Sequence, residues 1–193
     1  MREIVNTTLA ALICATVAAT PVSFCWARTT IHKHDFPEAE LGHPRAPATR
    51  AYVMNGLLGE LFTRAMSQIG EKLRERGVIV QVGSWTQESS FVADACEHRQ
   101  DRIIFIGHSL GAVAAASAVG QVKACGVRRV SMVGIDPPKM GAAIPDGTHA
   151  VNFVGALNAP IVGARNVSVS GLGHIEIVDN PAMQNRIVAA ALR

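Results

Sequence analysis

Ser109, Asp136 and His174 are the side chains of this sequence whose types, order and local settings could support nucleophilic chemistry. A serine hydroxyl is a weak nucleophile at neutral pH. It needs a base within hydrogen-bond reach, and the base needs an acid that fixes its tautomer and stabilises its charged form. Ser109 sits in Gly107-His108-Ser109-Leu110-Gly111, between the apolar run at residues 103–106 and an alanine-rich stretch at residues 112–118. This reads as strand, sharp turn and helix with the serine on the turn, the nucleophile-elbow pattern. The glycines have a steric reason: a serine held in an unfavourable backbone conformation leaves no room for a Cβ two residues to either side. The helix starts directly behind the serine, so its first amides can hold negative charge beside the hydroxyl. The same residues also fit an ordinary strand-to-helix turn in which the glycines only ease the bend.

The elements that must position these groups come from the pattern of the chain. From residue 50 onward, apolar strands alternate with helical segments. Strands are expected at residues 51–54, 78–82, 102–106, 127–135, 150–154 and 167–170. Helices are expected at residues 60–76, with Leu61, Ala65, Ile69 and Leu73 on one face, at 91–97, behind the elbow, and from Pro181 with Asn180 as N-cap. The alternation predicts an α/β fold, a doubly wound and mostly parallel sheet of about six strands without a large lid, as one domain over residues 50–193. Ligands of such sheets bind beyond the C-terminal ends of the strands. Ser109, Asp136 in Asp136-Pro137-Pro138, and His174 in Gly171-Leu172-Gly173-His174 each follow a strand in this reading.

Alternatives remain open at each position. Asp136 could merely end a turn, with Asp146 and Asp179 as rival acids, and His174 could cap the last strand. His108 belongs to the elbow and His149 precedes its strand, so both fit the role of base less well. An oxyanion hole needs two backbone donors, for which the amides of Leu110 and of Leu57, behind Gly56, are the candidates. Leu58, Trp85 and Met140 are candidate substrate-lining residues in loops of the same edge; Trp85 equally fits simple packing.

Composition bounds the rest. The 193 residues carry a formal charge of +3 with few aromatics and no clustered basic stripe, which argues against a nucleic-acid surface. Arg2 followed by an apolar run at residues 9–19 reads as a secretory signal over residues 1–27, cleaved after Ala27 or Ala19, against a retained anchor. The expected compartment is periplasmic or extracellular, with no stable membrane span after cleavage. Residues 28–49, with Pro37, Pro44 and Pro47, read as an irregular arm, whose His32 and His34 lack partners at metal-ligand spacing. No metal or organic cofactor is expected. Cys14 and Cys25 leave with the signal, while Cys96 and Cys125 remain near the starts of two strands, at the end of the sheet opposite the active edge. They are read either as a disulfide or as two inert thiols.

Three segments carry a family resemblance. IGHSLGA at residues 106–112 resembles the nucleophile segment of pancreatic-type lipases, and VGIDPP at residues 133–138 resembles their G-L-D-P segment. Asn55-Gly56-Leu57 is similar to their His-Gly-aromatic oxyanion loop, with Asn in place of His. The resemblance implies an α/β-hydrolase whose acid follows the strand after the nucleophile, which favours Asp136. It further implies a serine hydrolase acting on a small-molecule ester or lipid, which the signal-like start makes an exported one; the small chain without an obvious lid suggests an open site suited to short or medium acyl groups. Thioester cleavage or acyl transfer would use the same residues, and a non-catalytic binding protein would keep the elbow without a working acid.

Overall fold

The computed structural model describes residues 46–57, 59–157 and 159–193, with the backbone alone for residues 59–63. The expected signal, all but the last residues of the expected arm, and Leu58 lie outside the described residues. Six strands, β1 (Thr49–Asn55), β2 (Ile79–Ser84), β3 (Arg102–His108), β4 (Val130–Ile135), β5 (His149–Val154) and β6 (Arg165–Ser168), form one sheet. Their order is β2-β1-β3-β4-β5-β6 and every pairing is parallel. Among the described residues five α-helices accompany them: α1 (Gly59–Arg74), α2 (Glu88–Glu97), α3 (Leu110–Ala124), α4 (Glu176–Asp179) and α5 (Pro181–Ala191).

The central strands are apolar almost throughout because both faces are covered. Alternate residues sort to opposite sides. Ala51, Val53, Ile104, Ile106, Val133 and Ile135 pack with Ala65, Ile69 and Leu73 of α1 and with α5. Tyr52, Met54, Ile103, Phe105 and Met132 pack with α2 and α3 on the other face. Each fully buried Ile or Phe contributes about 1.5–3 kcal/mol relative to exposure. The alanines of α3 leave a slim helix that lies close to the sheet; a Cβ at Gly111 would stand 2.2 Å from the carbonyl oxygen of Met54. The chain leaves β1 toward one face and β3 toward the other, so a crevice opens where the strand order reverses between them.

Polar links fix the far face. Arg50 Nε donates to Asp101 Oδ2 at 2.8 Å. The Tyr52 hydroxyl donates to Asp94 Oδ2 at 2.6 Å, and Gln81 Nε2 donates to the same oxygen at 2.9 Å, which ties α2 to β1 and β2. Cys96, in the last turn of α2, is bonded to Cys125, just beyond α3, with the Cα atoms 5.9 Å apart. Both precede their following strands, β3 and β4, so the bridge sits at the sheet end opposite Ser109.

Several boundaries differ from the sequence expectation. β4 starts at Val130 rather than 127, because Val127 closes α3 instead: its amide donates to Val122 O after Gly126 turns at φ 94°. Such a glycine closure is a common helix ending. β2 runs on to Ser84 because parallel pairing with β1 continues to Asn55. Trp85 is not in an open loop. It begins a 3-10 turn, Trp85–Gln87, whose start is closed by reciprocal hydrogen bonds between Ser84 and Gln87. The short α4 was not anticipated, and it hands Asn180 directly to α5 as N-cap, accepting from the amides of Ala182 and Met183. Among the described residues no helix is long and apolar enough to cross a membrane.

Candidate active site

The elbow follows from local sterics. Ser109 adopts φ 57°, ψ −127°, a region that side chains other than glycine rarely occupy, and its hydroxyl does not cap α3. Two glycines make the turn possible. A Cβ on Gly107 would stand 2.0 Å from the carbonyl oxygen of Gly111, and one on Gly111 would meet β1. The Ser109 amide donates to Ile135 O at 3.0 Å, which pins the turn to the end of β4.

Asp136 leaves β4 at φ 42°, a second left-handed residue at the same sheet edge, and is wholly buried. Its Oδ1 accepts from the amides of Gly155 (2.9 Å) and Leu157 (3.0 Å), both in the loop after β5. Its Oδ2 lies 2.7 Å from His174 Nδ1. A buried carboxylate is costly without such partners, and here three donors surround it. Of the rival acids, Asp146 is exposed in the loop before β5 and Asp179 is exposed on α4. Because the carboxylate accepts, Nδ1 of neutral His174 carries the hydrogen and Nε2 is left as the basic nitrogen.

The His174 imidazole is partly exposed and packs, tilted, against the buried ring of His108, with centroids 4.5 Å apart. His108 directly precedes Ser109, so the structure brings serine, histidine and aspartate to one edge across the adjacent strands β3 and β4. Gly56 completes the group: a Cβ there would stand 2.6 Å from Ser109 Cβ and 3.1 Å from Ser109 Oγ. The loop carrying Leu57 therefore runs past the serine on the β1 side of the crevice. Leu110 opens α3, and its amide, as one of the first of a helix, has no partner within it.

The candidate lining residues divide. Met140, four residues beyond Asp136, is 62% exposed, and Leu57 is 65% exposed. Trp85 instead packs half-buried on the apolar layer under α2 and α3. His108 is the residue that sequence reasoning set aside. Its place beside the serine was visible, but its contact with the segment around residue 174 depends on folding. The metal-ligand side chains that converge among the described residues are Asp94 and Glu97 on α2 and His98 just beyond it. Asp94 already accepts from Tyr52 and Gln81, and this group is separate from Ser109.

An all-parallel sheet with a left-handed serine between strand and helix, and an Asp-His pair beyond the neighbouring strands, defines an α/β-hydrolase. Solved structures share this fold. The NocB thioesterase domain from the nocardicin cluster matches with a TM-score of 0.52 at 14% identity, covering 76% of this chain and 95% of that one. Human thioesterase 2 matches with a TM-score of 0.52 at 14% identity, covering 75% and 97%. A weaker match, on which the fold assignment does not rest, is to a structure described as "a putative hydrolase of the alpha/beta superfamily" from Xanthomonas campestris pv. campestris, with a TM-score of 0.48 at 15% identity, covering 74% and 95%. The chain belongs to the family described as "Putative serine esterase (DUF676)", whose model matches residues 54–188. No curated protein matches it.

Proposed function

We propose that this chain is an exported serine hydrolase that cleaves carboxylic esters through an acyl-enzyme. The observation that carries the reading is the 2.7 Å contact between His174 Nδ1 and the buried Asp136, at the same sheet edge as the strained Ser109. In this mechanism His174 Nε2 takes the Ser109 proton as Oγ attacks the ester carbonyl. Asp136 keeps the imidazole in the reactive tautomer and stabilises the imidazolium. The amides of Leu110 and Leu57 hold the oxyanion. The imidazolium returns the proton to the departing alcohol, and water, activated by the same nitrogen, then releases the acid and frees Ser109.

The exposed Leu57, in the loop that passes Ser109, and the exposed Met140, four residues beyond Asp136, support an open, partly apolar site for a short or medium acyl group. Export is supported by the signal-like residues 1–27 and by the Cys96–Cys125 bond, since disulfides persist in oxidising compartments. Labelling the mature protein with a fluorophosphonate and weighing it intact tests the nucleophile. One adduct, absent in Ser109→Ala, is expected. No adduct on folded protein would remove the enzyme reading in favour of a binding protein. A matched panel of oxygen esters and thioesters of increasing chain length then assigns the substrate, with higher kcat/KM for oxygen esters expected.

A further inference from the structure

His108 is 5% exposed, and its Nε2 lies 2.9 Å from the carbonyl oxygen of His174. A carbonyl can only accept, so His108 Nε2 carries the hydrogen and donates it. The two rings are in contact, tilted at 32° to one another. Burial, followed by the neighbouring His174, pushes the His108 pKa down to about 4, so the ring beside His174 stays uncharged at neutral pH.

The segment around His174 has few other polar ties, although Leu172 packs on the core. Among the described residues, two hydrogen bonds join residues 171–175 to anything beyond α4: the imidazole of His174 to Asp136, and its carbonyl to His108. The remaining bonds are local, such as the Gly173 amide to Glu176 and the Ile177 amide to Gly173 O. The two long-range bonds do different work. Asp136 sets the rotation and tautomer of the ring. The bond to the main chain sets where the backbone that carries the ring stands relative to the elbow, because its donor is covalently next to Ser109.

We propose that His108 is a positioning residue, whose Nε2–H holds the main chain of His174 so that the imidazole stands over Ser109. The proposal rests on the serine-hydrolase reading. A displacement of about 1 Å at a reacting group can cost on the order of 10²-fold in rate. The rate should therefore depend on a donor at the reach of Nε2 rather than on a polar group as such. Gln extends an amide nitrogen to about that reach, Asn falls one bond short, and Phe keeps a ring face without a donor.

The test compares wild type, His108→Gln, His108→Asn and His108→Phe in steady-state ester hydrolysis and in the rate of fluorophosphonate labelling, with thermal unfolding of each. Expected is a kcat for His108→Gln within about threefold of wild type, and kcat values for Asn and Phe lower by about 30-fold. KM should stay within about twofold throughout, and labelling rates should follow kcat. Equal losses for Gln and Asn, or losses carried by KM, or a kcat order that follows melting temperature instead of donor reach, would each overturn the assignment. If the Phe variant fails to fold, the Gln and Asn pair decides alone. Wild type that does not label would remove the serine-hydrolase reading and this one with it, whereas wild type and all variants labelling equally would remove only this one.

Discussion

Replacing Asp136 with Asn tests the reasoning about the site most directly, because the two Asp136 oxygens have distinct partners. Oδ1 accepts from two amides, Gly155 and Leu157. Oδ2 faces His174 Nδ1, with the Leu157 amide at a longer 3.3 Å. An asparagine must keep its oxygen toward the two amides, since an NH₂ there would face two donors. Its NH₂ is then turned toward His174, whose Nδ1 must accept. The imidazole hydrogen moves to Nε2, and the nitrogen meant to take the Ser109 proton is no longer basic. The loss of kcat for such a tautomer change is on the order of 10⁴-fold, or about 5 kcal/mol in the barrier. KM should hold, because the substrate does not touch residue 136. Stability should fall only modestly, because the variant retains both amide bonds. Hydrolysis of a chromogenic ester at pH 8 gives kcat, circular dichroism reports folding, and imidazole nitrogen shifts report the tautomer. A folded variant with kcat within tenfold of wild type would falsify the assignment of Asp136.

Other consequences of the structure are open to measurement. Gly56→Ala puts a methyl against Ser109 and shifts the Leu57 amide, so kcat should fall on the order of 10²-fold, as for loss of one oxyanion donor; retention of kcat within threefold would exclude Leu57 from the hole. His108 is held neutral down to about pH 4 in the folded state and ordinarily titrates near 6.5 when unfolded. Below pH 6.5 the unfolded chain binds a proton that the folded chain refuses, so stability is lost as pH falls toward 4 and is unaffected above about 7. Urea unfolding at pH 7.5 and pH 5 should show wild type losing about 2 kcal/mol more than His108→Gln, with His174 and Asp136 present in both; equal losses would contradict the burial argument. Cys96 and Cys125 are 29 residues apart, so the double Ser variant should lose about 3.5 kcal/mol by loop entropy. Its kcat should remain within about twofold, because the bridge lies at the sheet end away from Ser109; a large kcat loss in the folded variant would link the two ends.

The active edge also shows which elements were readable from the chain alone and which were not. Strands with a continuous apolar run, such as β3, and the capped start of α5 at Asn180-Pro181 stand close to their expected positions, because their causes are local. Ends decided by pairing moved. β2 gained Ser84 from its partner Asn55, and β4 lost its first residues to the closure of α3. The sequence places Trp85 in a loop, with substrate lining and simple packing equally open; Ser84 and Gln87 close a turn around it and its ring packs on the core.

By itself, the sequence determined that Ser109 would occupy a strained turn between a buried strand and a slim helix, because Gly107, Gly111 and the alanines act within a few residues of it. It also predicted a mostly parallel sheet covered on both faces, since that follows from the period and apolarity of each segment. It favoured Asp136 over Asp146 and Asp179 without showing that any of them meets His174, and it set His108 aside. Those contacts are tertiary, through bonds that span 38 residues from Asp136 to His174 and 66 from His108 to His174. Such contacts depend on the register of β3, β4 and β5 and on the path of the segment before α4. Those are global properties of packing, and no local pattern in the chain encodes them.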